Sequence, residues 1–239
     1  MTELTSELAQ KRPDEFSGTT SRDGFWRTDE ADTVMQRGNV AAFAAMAEIE
    51  KDAIAGATVV DIGCNQGGFL QYLCDTYPVH RAFGLDPASG AIERARETNG
   101  DRPAEYVVGD RPPADWAKVD LAFSQEAVYL IHDLAQHADD MWRTLRPGGR
   151  YLAVTCVHSA NERMSEWHRE NVEVLELPSL RSVGDFIAPF LERGFAAEVG
   201  WLPIRFVPIE PDHLDVAWNA LEFWTRTSNK VLFRFTRPA

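Results

Sequence analysis

The stretch Val59-Val60-Asp61-Ile62-Gly63-Cys64-Asn65-Gln66-Gly67-Gly68-Phe69 constrains this chain more than any other. An apolar run of strand length meets a cluster of glycines, and a helix-like pattern starts directly behind them. Glycine turns the backbone sharply and lets it approach a ligand closely. The same alternation then repeats. Ala57–Ile62, Arg81–Leu85, Glu105–Val108, Val119–Ser124 and Tyr151–Val157 read as strands. Helical spacing fills the gaps, from the turn to Tyr77, over Ala88–Thr98 and over Leu134–Leu145. Pro147-Gly148-Gly149 is expected to end the last of these helices ahead of the fifth strand. Strands and helices at this spacing predict an α/β fold with a mostly parallel sheet covered on both faces.

The flanks are less regular. A helix is expected from Glu30 to about Ile54, closed by Gly56. Beyond the fifth strand, Asn161–Asn171 reads as a polar insertion and Ser182–Glu192 as a helix. Phe195–Trp201 and Val231–Phe235 read as strands, with an aromatic helix over Pro211–Thr225 between them. With 239 residues, 44% of them apolar, the chain can bury one substantial core. It is therefore expected to form a single domain over 1–239. Residues 1–29 would be an arm, 57–157 the ligand-binding core and 158–230 substrate-side insertions.

Charge narrows the partners. The formal net charge is −13, and no Lys/Arg cluster stands out. Nucleic acid and anionic membranes call for dense basic patches, so neither is an expected partner. No apolar run reaches transmembrane length, and the first thirty residues lack a secretory apolar region. Cys64, Cys74 and Cys156 are widely spaced and odd in number, which suits a reducing cytoplasm and gives neither a disulfide framework nor a zinc pattern. No ligand spacing among His, Asp and Glu singles out a metal site.

Acids recur where a parallel sheet binds its ligands. Asp86 ends the second strand in Gly84-Leu85-Asp86-Pro87, and Asp110 follows the third in Val107-Val108-Gly109-Asp110. In nucleoside-binding α/β folds an acid at the second position accepts hydrogen bonds from ribose hydroxyls. Each acid alone is as easily a helix cap or a solvated loop residue; the ordered set is harder to produce by accident.

In that order, the chain resembles class I S-adenosylmethionine (SAM)-dependent methyltransferases of the small-molecule branch. Asp61–Gly68 resembles their first motif, with Asn65 standing where a middle glycine is common. Asn tolerates positive φ better than most residues, so the turn survives. Asp86 matches the ribose-binding acid, Asp110 the acid facing the adenine amine, and Leu145-Arg146-Pro147-Gly148-Gly149 the turn before the fifth strand. The resemblance implies a three-layer Rossmann-like sandwich with a seven-stranded, mostly parallel sheet and an antiparallel strand near the C-terminus. It also implies SAM as cofactor and S-adenosylhomocysteine as product. Asp61, Gly63, Cys64, Asn65, Gly67, Asp86, Pro87, Asp110, Arg111, Ser124 and Gln125 become the expected cofactor contacts. A nicotinamide dehydrogenase is the competing reading of the turn, but Asp61 would face an anionic diphosphate, whereas SAM is cationic at its amine and sulfonium.

Methyl transfer from a sulfonium needs alignment above all, which contributes ~7–11 kcal/mol in favourable cases. A base helps only when the acceptor must lose a proton. His158, after the fifth strand, is the leading acceptor-side base or orienter, with His132 and Glu126 also near the transferred methyl in the family's arrangement. Trp26, Trp167, His168 and Trp218 are expected to line the acceptor pocket, and Trp201, Phe206 and Trp224 offer further apolar walls. A small-molecule acceptor, methylated at O or N, is the expected partner. A protein or RNA methyltransferase and a non-catalytic SAM- or NAD-binding protein are the alternatives. The fourth strand leads into Phe123-Ser124-Gln125-Glu126 and lacks the Asn/Asp-Pro-Pro-aromatic motif of nucleic-acid amino-methyltransferases.

Overall fold

The computed structural model describes residues 29–116, 118–202 and 230–239. Trp26, Phe206, Trp218, Trp224 and the expected Pro211–Thr225 helix lie outside the described residues. Seven strands form one sheet in the order β3-β2-β1-β4-β5-β7-β6. They are β1 (Thr58–Ile62), β2 (Arg81–Asp86), β3 (Ala104–Val108), β4 (Val119–Gln125), β5 (Leu145–Thr155), β6 (Ala196–Trp201) and β7 (Val231–Thr236). β1 to β5 pair in parallel. β7 runs antiparallel to both β5 and β6, so among the described strands it alone is reversed. The order changes direction between β1 and β4, and in such sheets ligands bind beyond the strand C-termini at that switch.

Helices cover both faces because the central strands bury both sides. In β1, Val59 joins one apolar cluster while Val60 and Ile62 join the other. The first cluster takes in helices α1 (Asp29–Ile49), α3 (Gly68–Thr76) and α4 (Ser89–Thr98), with the short α2 (Lys51–Ile54) beside them. The second takes in α5 (Leu134–Thr144) and α7 (Val183–Arg193). Its densest part is aromatic: Phe190 stacks on Phe235 at 3.8 Å between ring centroids and approaches Tyr151 and Phe195 at 5.7 and 5.5 Å.

The chain departs from the sequence expectations chiefly at the fifth strand and just after it, and the expected Glu30–Ile54 helix divides at Glu50 into α1 and α2. The fifth strand starts at Leu145, before Pro147-Gly148-Gly149, and ends at Thr155. Leu145 pairs with Val119 and Arg150 with Leu121, so residues 146–149 bulge from the ladder. The bulge is held by Gly148 N–H to the Arg237 carbonyl at 2.9 Å and Arg237 N–H to Gly149 at 3.0 Å. At the other end the Cys156 N–H turns to the Glu126 carboxylate and leaves the ladder. The polar segment after β5 is a helix, α6 (Glu162–Asn171), capped by the Asn161 side chain on the Met164 N–H. Among the described residues no helix is long and apolar enough to cross a membrane.

Phe190 and Leu191 are chain neighbours on α7 that point about 100° apart, the first fully buried and the second 53% exposed. Truncating a buried aromatic typically costs ~3–5 kcal/mol, whereas exposed positions move stability by less than ~0.5 kcal/mol. Phe190→Ala is expected to lower the urea midpoint sharply and Leu191→Ala to leave it in place, as read by circular dichroism.

Candidate functional site

The turn after β1 is bent by residues that tolerate left-handed backbone. Gly63, Asn65 and Gly67 have φ of 74°, 48° and 79°. The first and last also have no room for a side chain. A Cβ on Gly63 would stand 2.3 Å from the Ala127 Cβ, and one on Gly67 2.7 Å from the Tyr106 hydroxyl. Gly67 precedes α3 without a side-chain cap, so the first N–H groups of that helix face the ligand edge unclaimed by a cap.

Asp86 holds the turn in place. Its Oδ2 accepts the Asn65 N–H at 3.0 Å and its Oδ1 the Ala88 N–H at 2.9 Å. The Leu85 carbonyl accepts both Gly63 and Cys64 N–H. The acid that ends β2 therefore braces the turn that follows β1, and Pro87 beside it is exposed. Cys64 is buried against this turn, and burial followed by the Asp61 charge pushes its thiol well above the usual range. Held as a neutral thiol, it packs against the turn.

Asp61 lies beneath the turn, 3% exposed. Burial, and then the charge of Asp86, push its carboxyl up to about 8. Its Oδ1 has no hydrogen-bond donor, and neither has the enclosed Oδ1 of Asn65. Two buried acceptors without donors beside an acid kept neutral suit a ligand that brings N–H groups and positive charge. At the end of β4, Ser124 is buried, and both polar atoms of the Gln125 amide are enclosed without partners.

Further out, Asp110 is exposed past the end of β3. Arg111 is committed elsewhere: its guanidinium holds the buried Asp140 of α5 through two bonds of 2.7 Å. Glu126, at φ 52°, is the left-handed residue that closes β4. Its Oε2 accepts the Cys156 N–H at 2.9 Å, and its Oε1 pairs with Lys230 ahead of β7. Burial acts to lower the Lys230 pKa, but the charges of Glu126 and Cys156 carry it above its ordinary value. This ion pair joins the ends of β4, β5 and β7.

The histidines part company. His132 is exposed just before the α5 cap, and its carbonyl accepts from Arg181. His158 is buried beyond β5, where its carbonyl accepts the Asn161 N–H at 2.9 Å. His168 is buried with Nε2 2.7 Å from the Pro178 carbonyl, so its ring fastens the segment after α6. Trp167, half-buried, meets Tyr129 edge to face at 6.2 Å. Among the described residues no cluster of His, Cys, Asp or Glu is arranged to hold a metal. Tyr106, Ala127, Arg181 and Lys230 were not visible as site residues in the sequence, because their roles come from contacts between distant strands and no local motif marks them.

Comparison with known proteins agrees with this geometry. Residues 60–153 match the family described as "Methyltransferase domain". The chain is 29% identical over 180 residues to a fatty-acid O-methyltransferase of Mycolicibacterium smegmatis, covering 66% of this chain and 62% of that protein. It is 32% identical over 115 residues to a trans-aconitate 2-methyltransferase of an Azoarcus strain, covering 48% and 44%. In both cases the match spans less than two thirds of the relative. A chain from the Haloferax volcanii complex containing the Trm112 methyltransferase activator superposes with a TM-score of 0.71 at 23% identity, covering 92% of this chain and 99% of that one. A SAM-dependent methyltransferase from Mesorhizobium loti gives 0.61 at 22% identity, over 84% and 98%. Residues 60–153 thus match a methyltransferase-domain family, and the chain that carries them shares the Rossmann-like fold of solved SAM-dependent methyltransferases.

Proposed function

We propose that this protein transfers a methyl group from SAM to a small-molecule acceptor. The observation that carries the reading is the buried, donor-less Asp61 carboxyl under a glycine turn braced by Asp86. When bound, SAM supplies an electrophilic methyl on a sulfonium that already leaves well. The residues of this chain then have to bind, orient and exclude water. Asp61 and Asn65 would receive the cationic methionyl end, Asp86 the ribose, and Asp110 the adenine side. Ser124 and Gln125 border the methyl, and His158 is the remaining acceptor-side orienter. The relatives named for fatty acid and trans-aconitate support a small acceptor, methylated at oxygen in the first. Calorimetry tests the reading directly: SAM and S-adenosylhomocysteine should bind in the micromolar range and NAD should not. NAD binding without SAM binding would falsify it.

Asp86→Ala is expected to weaken SAM by ~1.5–3 kcal/mol, the usual loss for a charge-assisted hydrogen bond. Because the same carboxylate braces the turn, the variant should also melt earlier than wild type. Asp86→Asn, which keeps an acceptor for one of the two N–H groups, should recover part of that stability in a thermal scan and little of the affinity.

Asp61 makes affinity depend on pH. With its carboxyl at about 8 it is protonated in the unliganded protein below that value, and a cationic ligand favours the ionised form. SAM affinity should therefore rise with pH between 5.5 and 7.5, a window in which an α-amine stays largely protonated, by up to about tenfold per unit. Asp61→Asn should flatten that slope and weaken binding. Its effect on the fold runs the other way. An acid whose folded pKa is raised stabilises fully below the unfolded carboxyl range and loses that contribution as pH climbs toward about 8. The gain in melting temperature from Asp61→Asn should thus be larger at pH 8 than at pH 4.5, and an equal gain at both would contradict it.

A further inference from the structure

The segment between α6 and α7 delivers one cation to the ligand edge. Arg181 stands just before Ser182, the N-cap of α7. Its carbonyl accepts the Ser159 N–H at 2.8 Å, beyond the end of β5. Its Nη2 donates to the His132 carbonyl at 2.8 Å, beyond the end of β4. The guanidinium lies 5.8 Å from the Phe186 ring centroid, and Nη1 is enclosed without a hydrogen-bond partner. Asp185, which acts on Arg181 electrostatically, has its carboxylate on the Ser182 N–H and hydroxyl. The other cations described near this edge are already matched, Lys230 with Glu126 and Arg111 with Asp140.

A guanidinium stays charged even when burial lowers its pKa. Leaving a charged N–H buried without an acceptor costs more than leaving a neutral one, and native structures seldom tolerate it without a functional reason. We propose that Arg181 anchors a carboxylate of the methyl acceptor through Nη1, an assignment that rests on the methyltransferase reading of this edge. A carboxylate fits better than a phosphate. Nη2 is committed to His132, so among the described residues Arg181 offers Nη1 to an anion with no second unpaired cation beside it, and the neighbouring helices α5 and α7 are capped by Asp133 and Ser182. The chain neighbours of the two contacts, Leu130, Ile131 and Leu180, are half-buried and apolar. The acceptor class is a carboxylic acid with an apolar body.

The test titrates n-alkanoates from butyrate to dodecanoate, their neutral amides, and inorganic phosphate into the full chain saturated with S-adenosylhomocysteine. At least one alkanoate should bind ten times more tightly than its amide. Arg181→Gln should bring that alkanoate down to the level of its amide, and Arg181→Lys should fall between. The affinity for S-adenosylhomocysteine should stay within twofold in all three proteins, which a general loss of structure would not allow. Equal binding of acids and amides, a preference that survives in Arg181→Gln, phosphate binding more tightly than every alkanoate, or no alkanoate binding at all would each overturn the assignment. Absence of S-adenosylhomocysteine binding in the wild type would instead overturn the reading beneath it.

Discussion

Tyr106 reaches from β3 across β2 to the turn after β1, and the ligand edge depends on the space it takes. A Cβ on Gly84 of β2 would lie 2.6 Å from its ring, and one on Gly67 would lie within 2.9 Å of three of its atoms. Glycine at both positions lets one aromatic side chain lock three segments together. The ring is buried, and burial raises its hydroxyl beyond the ordinary phenol range, so it contributes shape and no charge. Tyr106 packs against Gly67 of the turn, and Ala127 packs against Gly63. Asp86 then finds the Asn65 N–H within reach, and Asp61 is sealed below.

The electrostatic character of the edge follows from that packing. Where the turn covers Asp61, an acid has lost water without gaining a donor, which favours a cationic guest. Across β4 and β5 the polarity is reversed. There Glu126 is satisfied by Lys230 and the Cys156 N–H, and Arg181 keeps an enclosed nitrogen without an acceptor. The two ends of the site thus call for opposite charge, a cationic cofactor tail and an anionic acceptor. A carboxylate acceptor also needs no base near neutral pH, since it is already ionised. That is consistent with an edge whose histidines are exposed, buried or fastened to a carbonyl.

The opposite edge of the sheet is built for stability. Glu50, at the end of α1, is buried between Arg150 of β5 and Arg234 of β7, and Arg234 also grips Glu198 of β6. This ties the first helix to the strands that close the sheet. Breaking such a buried pair strands the remaining charges. The charged groups here each face a charge of opposite sign, whereas Arg181 at the ligand edge has no carboxylate on its enclosed nitrogen.

The sequence by itself determined the order of strands and helices, the glycine turn and the acid at the end of β2, because periodicity and backbone tolerance are local properties. It also carried the Ser182 cap of α7, whose partner Asp185 is three residues away. It misplaced the start of β5, because Pro147-Gly148-Gly149 is a breaker only until the C-terminal segment arrives to bond it. Local polarity likewise hid α6, a helix held by its cap and by Met164 and Trp167 against the core. Only the tertiary structure decided that Asp61 is buried and neutral, that Arg111 serves Asp140, and that Arg181 keeps an enclosed nitrogen without an acceptor. Burial and pairing depend on segments 29 to 104 residues apart in the chain. A group's charge and availability are set by those distant neighbours, whereas its identity and its helix or strand are set by near ones.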